Sequence, residues 1–191
     1  MRPGRNSLQR RDRDMTKTEI ITATEKGFNS FAETCNSMDE ELFFKKPTDK
    51  WSAAENIQHL IISTKMTALA YRLPKIIVRL FAGKPNRSSR PFNELKDKYY
   101  KKLADGGRAS GVFVPKPMEI KYGKLKLMDN WQNATTAYLL ALSKNRTEKD
   151  LDNYLAKHPL LGRITLRELC YFTIFHTEHH LQAIQKISET E

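Results

Sequence analysis

Three of the chain's five histidines, His176, His179 and His180, fall within five positions of the stretch IFHTEHHLQAIQKI near the C-terminus. Imidazole is both a common metal ligand and a group that exchanges protons near neutral pH. On a helix, residues four apart are offset by about 40° and residues three apart by about 60° the other way. His176 can therefore share a face with either neighbour. The apolar pattern separates them: Leu166, Leu169, Thr173, His176, His180, Ile184 and Ile187 step by threes and fours, as an inward seam does. His179 lies on a line with Phe172, Phe175, Gln182 and Lys186, which turns polar toward its end. The seam favours His176 and His180 as the inward pair. Glu178, two residues from each, points roughly 160–200° away from them.

Two imidazoles rarely hold a metal tightly, so a third ligand must come from elsewhere. His59 is the leading donor, on a partly apolar line with Ser52, Glu55, Ile62, Met66 and Leu73. His158 is the weaker one, because it precedes Pro159 in a loop, where an exposed or turn-capping role is commoner. Histidines also pack into cores with ordinary hydrogen bonds, and spaced pairs arise by chance. Spacing alone leaves a metal site and a packed core both open. Glu55, one turn before His59, is the one candidate general base. Ser52 and Glu55 also have the S-x-x-E spacing of a capping box, which explains the same carboxylate structurally.

Four long helical patterns must position these groups. The first spans about 17–38, with Ile20, Ile21, Phe28, Phe31 and Cys35 at helical spacing. The second opens at Ser52 and runs to about Leu73, where Pro74 ends or kinks it, and KIIVRLFAG continues as a short extension closed by Gly83. PFNELKDKYYKKLADGG reads as a polar helix inside a long, weakly patterned connection. The third main helix covers about 124–143, and the fourth opens at a second capping box, Thr165 with Glu168, and reaches about Ile187. No strand pattern is evident. The expectation is an all-α four-helix bundle with a long crossover between its second and third helices.

Composition narrows the function classes. The net charge is +11, with five Arg against two Asp in the first 14 residues. That segment lacks an apolar h-region, so it reads as a disordered basic tail rather than a secretory signal, and residues 15–191 read as one domain. Elsewhere Lys and Arg alternate with acids, which favours a solvated surface over specific nucleic-acid binding. Cys35 and Cys170 form no CxxC and suit a reducing cytoplasm as small buried hydrophobes. No apolar run spans a bilayer, so no membrane is expected. There is no P-loop, nucleophile elbow or Gly-rich phosphate cradle.

KWSAAENIQHLIIST resembles the segment of DinB/YfiT-like proteins in which Trp-Ser opens the second helix and a histidine follows. HPLLGRITLRELCYFTIFHTEHHLQAIQKI is similar to that family's C-terminal signature of H-P, a Gly turn, a capped helix start, an aromatic run and H-x-x-x-H. The resemblance covers most of the chain from Met15. It implies a four-helix bundle with a divalent metal held by His59, His176 and His180, in agreement with the seam. In one departure, Ala183 stands where many members have Gln. Three neutral imidazoles leave an open coordination position, and zinc, nickel and iron(II) all accept them, zinc or nickel foremost. The resemblance implies a metal-dependent hydrolase, or a transferase joining a low-molecular-weight thiol to a small-molecule electrophile. It also suggests a homodimer. The competing reading is a non-catalytic, metal-stabilised binding or stress-response protein with a basic surface.

Overall fold

A computed structural model describes residues 14–189; the basic segment 1–13 lies outside the described residues. Helix starts follow side-chain caps that the sequence displays. Thr16 and Glu19 close a capping box on α1 (Lys17–Ser37), and Asp39 caps the short α2 (Glu40–Phe44). Ser52 and Glu55 close a second box on α3 (Ala53–Arg72). Such a cap satisfies backbone N–H groups that a helix leaves orphaned, and each contributes about 1 kcal/mol. Pro74 then starts α4 (Lys75–Ala82), which Gly83 ends at φ +83°, and α5 (Phe92–Ala104) follows. After two single 3-10 turns come α6 (Lys124–Asn145), α7 (Glu148–Asn153) and α8 (Leu166–Ser188).

α1, α3, α6 and α8 form the bundle. α3 packs along α6 and α1 along α8, while contacts of α1 with α6 and of α3 with α8 close the ring. Aromatic residues fill its centre. Trp131 meets Phe28 at 5.1 Å and Phe31 at 5.3 Å between ring centroids, and Tyr138 meets Phe28 and Tyr71 at 5.5 Å each. The long connection from α3 to α6 is the expected crossover, with α5 laid against α8.

The expectation of no strand is corrected. Leu155–His158 and Gly162–Thr165 pair antiparallel as β1 and β2, with Leu155 opposite Thr165 and His158 opposite Gly162. Four residues are too few to show an alternation in sequence. The tight turn is set by Gly162 at φ +74° and by His158, whose Nδ1 accepts from the N–H groups of Leu160 and Leu161 at 3.2 and 3.1 Å. α2 and α7 fall between the four expected helices, their starts marked by Asp39 and the Thr147–Asp150 box.

One buried carboxylate fastens the crossover to the bundle. Glu168 is fully buried and accepts from the Thr165 N–H at 2.7 Å, from both terminal nitrogens of Arg87 at 2.8 and 2.9 Å, and from the N–H and Nη1 of Arg90 at 2.9 and 3.0 Å. Burial pushes its pKa up, but the hydrogen bonds from Arg87, Thr165 and Arg90 outweigh burial and hold it below the usual carboxylate value. A depressed folded pKa contributes stability that is present above the unfolded value and lost as pH falls through the folded one. Glu168→Ala should cost roughly 2–4 kcal/mol in urea unfolding at pH 7, by removing the α8 cap and the acceptor of Arg87 and Arg90, although Arg90 keeps Glu94 at 3.2 Å. The difference from the unsubstituted protein should shrink on acidification; a loss under 1 kcal/mol at neutral pH would contradict this role for Glu168.

Candidate metal centre

Ser52 fixes the start of α3, and His59 follows two turns later on the side that meets α8. α8 supplies His176 and, one turn on, His180. All three side chains are buried. His176 Nε2 lies 3.1 Å from His59 Nε2 and 3.1 Å from His180 Nε2. The three donor atoms lie within 4.8 Å of one another, a group that could hold a metal ion.

Hydrogen bonds on the far side of two rings decide what those nitrogens present. His59 Nδ1 is 2.6 Å from the Phe113 carbonyl, which can only accept, so Nδ1 carries the proton. His180 Nδ1 is 2.6 Å from Asn56 Oδ1. That amide is oriented by its own NH2, which donates to the carbonyls of Ser52 at 2.8 Å and Trp51 at 3.2 Å. Both outer rings therefore turn bare Nε2 lone pairs toward His176. A single proton on His176 Nε2 cannot serve both neighbours well, so at least one close contact sets lone pair against lone pair. A cation among the three atoms would satisfy all of them. Tetrahedral zinc with bonds of about 2.0–2.1 Å needs nitrogens roughly 3.3–3.4 Å apart, close to two of the three spacings, the third pair lying within 4.8 Å.

Aromatic rings wall the cluster. Trp51 stacks on His180 at 6.0 Å and 5°, and tilts against His59 at 5.1 Å; Phe172 stacks on His176 at 4.5 Å. Burial lowers all three pKa values, against a weaker opposing effect of the Phe113 carbonyl at His59 and with reinforcement from neighbouring imidazoles at His176 and His180. The rings stay neutral, the form that binds metal.

The remaining candidates fall outside the group. His179 is half-buried, its ring set against those of Tyr99 and Tyr100 at 6.4 and 5.9 Å. Glu178 points away and pairs with Lys96 at 2.9 Å. Glu55 is buried, but its carboxylate accepts from the Ser52 N–H at 3.0 Å and from Lys46 Nζ at 3.1 Å, and it is not brought into the histidine group. His158 caps the hairpin turn through Nδ1, so its proton sits on Nε2; burial pushes its pKa down to about 4.

Sequence reasoning missed Asn56 and the Phe113 carbonyl. Asn56 lies three residues before His59, one turn away, which was the available signal. A backbone carbonyl from the crossover gives none. Ala183, where the resemblance leads one to expect Gln, lines the neighbouring cleft, and the amide that meets His180 is Asn56 of α3. That cleft, of about 1360 Å³, opens beside the histidines between α3, α4, the hairpin and the end of α8. Met66, Leu69, Leu73, Val78 and Phe81 form an apolar wall, and His158 also lines it. Among the described residues no helix is long and apolar enough to cross a membrane.

Comparison with known protein families matches residues 20–184 to the DinB superfamily. No curated protein and no solved structure matches the chain.

Histidines held neutral by burial make acid destabilising: below the unfolded value near 6.5 the unfolded chain takes up protons that the folded one refuses. In chelator, stability should fall as pH drops from 6.5 toward 5, before most carboxylates titrate. The slope should reach roughly 1.4 kcal/mol per pH unit for each such histidine. A flat profile of urea midpoints across that window would show that the rings are not held neutral.

Proposed function

The chain belongs to the DinB superfamily, and from that membership and the site we propose that it is a metal-dependent enzyme, a hydrolase or a low-molecular-weight-thiol S-transferase. The carrying observation is the convergence of three Nε2 atoms, two with protons locked on Nδ1, beside a broad apolar cleft. His59, His176 and His180 would hold a divalent ion, zinc or nickel foremost and iron(II) also compatible. Such an ion supplies Lewis acidity that lowers the pKa of a coordinated water or thiol toward neutrality.

The chain's own residues do the rest. Asn56 and the Phe113 carbonyl keep the imidazoles oriented, and Trp51 and Phe172 shield them from solvent. The apolar wall receives the carbon skeleton of an electrophile. His158 offers a neutral Nε2–H on the same cleft, suited to a substrate oxygen. The nucleophile comes from outside: Cys35 and Cys170 are buried, and burial pushes their thiols up to about 12 and about 11. Glu55 remains the candidate base only if its capping and Lys46 contacts are given up, which favours a nucleophile activated by the ion alone.

Elemental analysis of purified protein tests the ligand set. His59→Ala, His176→Ala and His180→Ala should each lose stoichiometric metal, while His179→Ala keeps it. Asn56→Leu should weaken metal affinity about 10–100-fold while leaving the ligands in place. Loss in His179→Ala alone would refute the assignment, and a protein that never holds metal at neutral pH would refute the enzyme. With metal bound, consumption of small thiols alongside an aromatic electrophile marks the transferase, and metal-dependent cleavage of apolar esters or amides without thiol marks the hydrolase.

A further inference from the structure

α4 breaks the usual rule for a surface helix. Val78 and Ala82 face the protein and are buried, yet the opposite arc holds Ile76, Leu80 and Phe81, 63%, 75% and 70% exposed, with Ile77 between them. Its polar edge is only Lys75 and Arg79, so the apolar arc is wider than the side that the protein buries. The helix stands at the surface, next to Met66 and Leu69 of α3, each 47% exposed. Met66, Leu69 and Phe81 also line the cleft, whereas Ile76 and Leu80 do not, so the exposed apolar face adjoins the cleft at Phe81.

The charge that α3 and α4 themselves carry here is basic: against the expected alternation with acids, the chain from Leu60 to Asn93 holds seven Lys and Arg and no Asp or Glu. The nearby acids come from elsewhere, Asp150 beside Lys75 and Asp49 and Glu189 on the cleft lining. Arg87 and Arg90 are taken up by Glu168, and Lys75 pairs with Asp150 at 2.7 Å. Lys65, Arg72, Arg79 and Lys84 are exposed and have no acidic partner among the described residues; Arg79 rests over the Tyr154 ring at 5.1 Å. Lys65 and Arg72 flank Met66 and Leu69 on α3, and Arg79 flanks Ile76 and Leu80 on α4.

From these observations we propose that α4 and the adjoining stripe of α3 form a docking surface for an anionic lipid bilayer, with Ile76, Leu80 and Phe81 entering the headgroup boundary and the surrounding cations meeting lipid phosphates. Large apolar side chains with a cationic border are what interfacial binding requires. A second copy of the chain fits less well, because a two-fold contact of this patch with itself brings the Lys65, Arg72, Arg79 and Lys84 cations of both copies together. Nucleic acid would satisfy the cations and leave the apolar arc without a partner. Docked this way, the Phe81 edge of the cleft adjoins the membrane, where an apolar substrate can enter. The docking surface does not depend on the metal site.

Flotation of the full chain with phosphatidylcholine vesicles, with and without phosphatidylglycerol, is the test. The protein should float with the anionic vesicles only. Leu80→Asp/Phe81→Asp and Arg79→Glu should each lower that partition roughly tenfold or more, with helix content and thermal midpoint retained because these side chains are exposed. Absence of flotation overturns the proposal. So does undiminished flotation of the double variant, which would assign binding to the basic segment 1–13. A dimer in sedimentation that the double variant dissociates, or duplex DNA retention that it abolishes, would reassign the face to those partners.

Discussion

Three uncharged imidazoles with lone pairs turned toward one another are held together only by what surrounds them. Left alone, the rings would rotate, protonate or separate. Here the Asn56 amide and the Phe113 carbonyl each pin a proton on the outward nitrogen, and burial opposes any added charge. The backbone does most of this holding. Asn56 is itself oriented by carbonyls at the opening of α3, so the cap that starts the helix and the contact that aims His180 belong to one short segment. Glu55 illustrates the same economy: its oxygens secure that segment rather than entering the cluster.

The crossover is the second part of the support. α3 and α8 bring the ligands close, but the connection between α3 and α6 supplies the carbonyl on His59 and one lip of the cleft. It is anchored at the opposite end of α8 by Glu168, which gathers Arg87 and Arg90 while also capping the helix. A single helix, α8, is thus fixed at its N-terminus by a charged network and read at its centre by an imidazole cluster. α5 packs along the length between them.

Much of this was legible in the residues. The four bundle helices, the capped starts of α3 and α8 and the inward turn of His176 and His180 follow from apolar periodicity and capping spacing, because both signals are local. The hairpin was not, since four-residue strands show no period and its turn depends on a histidine acting through Nδ1. The Phe113 carbonyl was not, because a backbone atom carries no residue signature and its approach to His59 spans 54 positions. The apolar arc of α4 was visible as letters, but only the folded chain shows that no described residue covers it.

The contact between His59 Nδ1 and the Phe113 carbonyl has a thermodynamic consequence. That carbonyl belongs to the segment bordering the cleft, so a guest that displaces the segment removes a restraint on His59, and one that presses it inward tightens the restraint. Were the cluster to hold an ion, its affinity and that of such a guest would be linked, each altering the other by the same factor. On this account the crossover is the mechanical element through which the two sites exchange free energy.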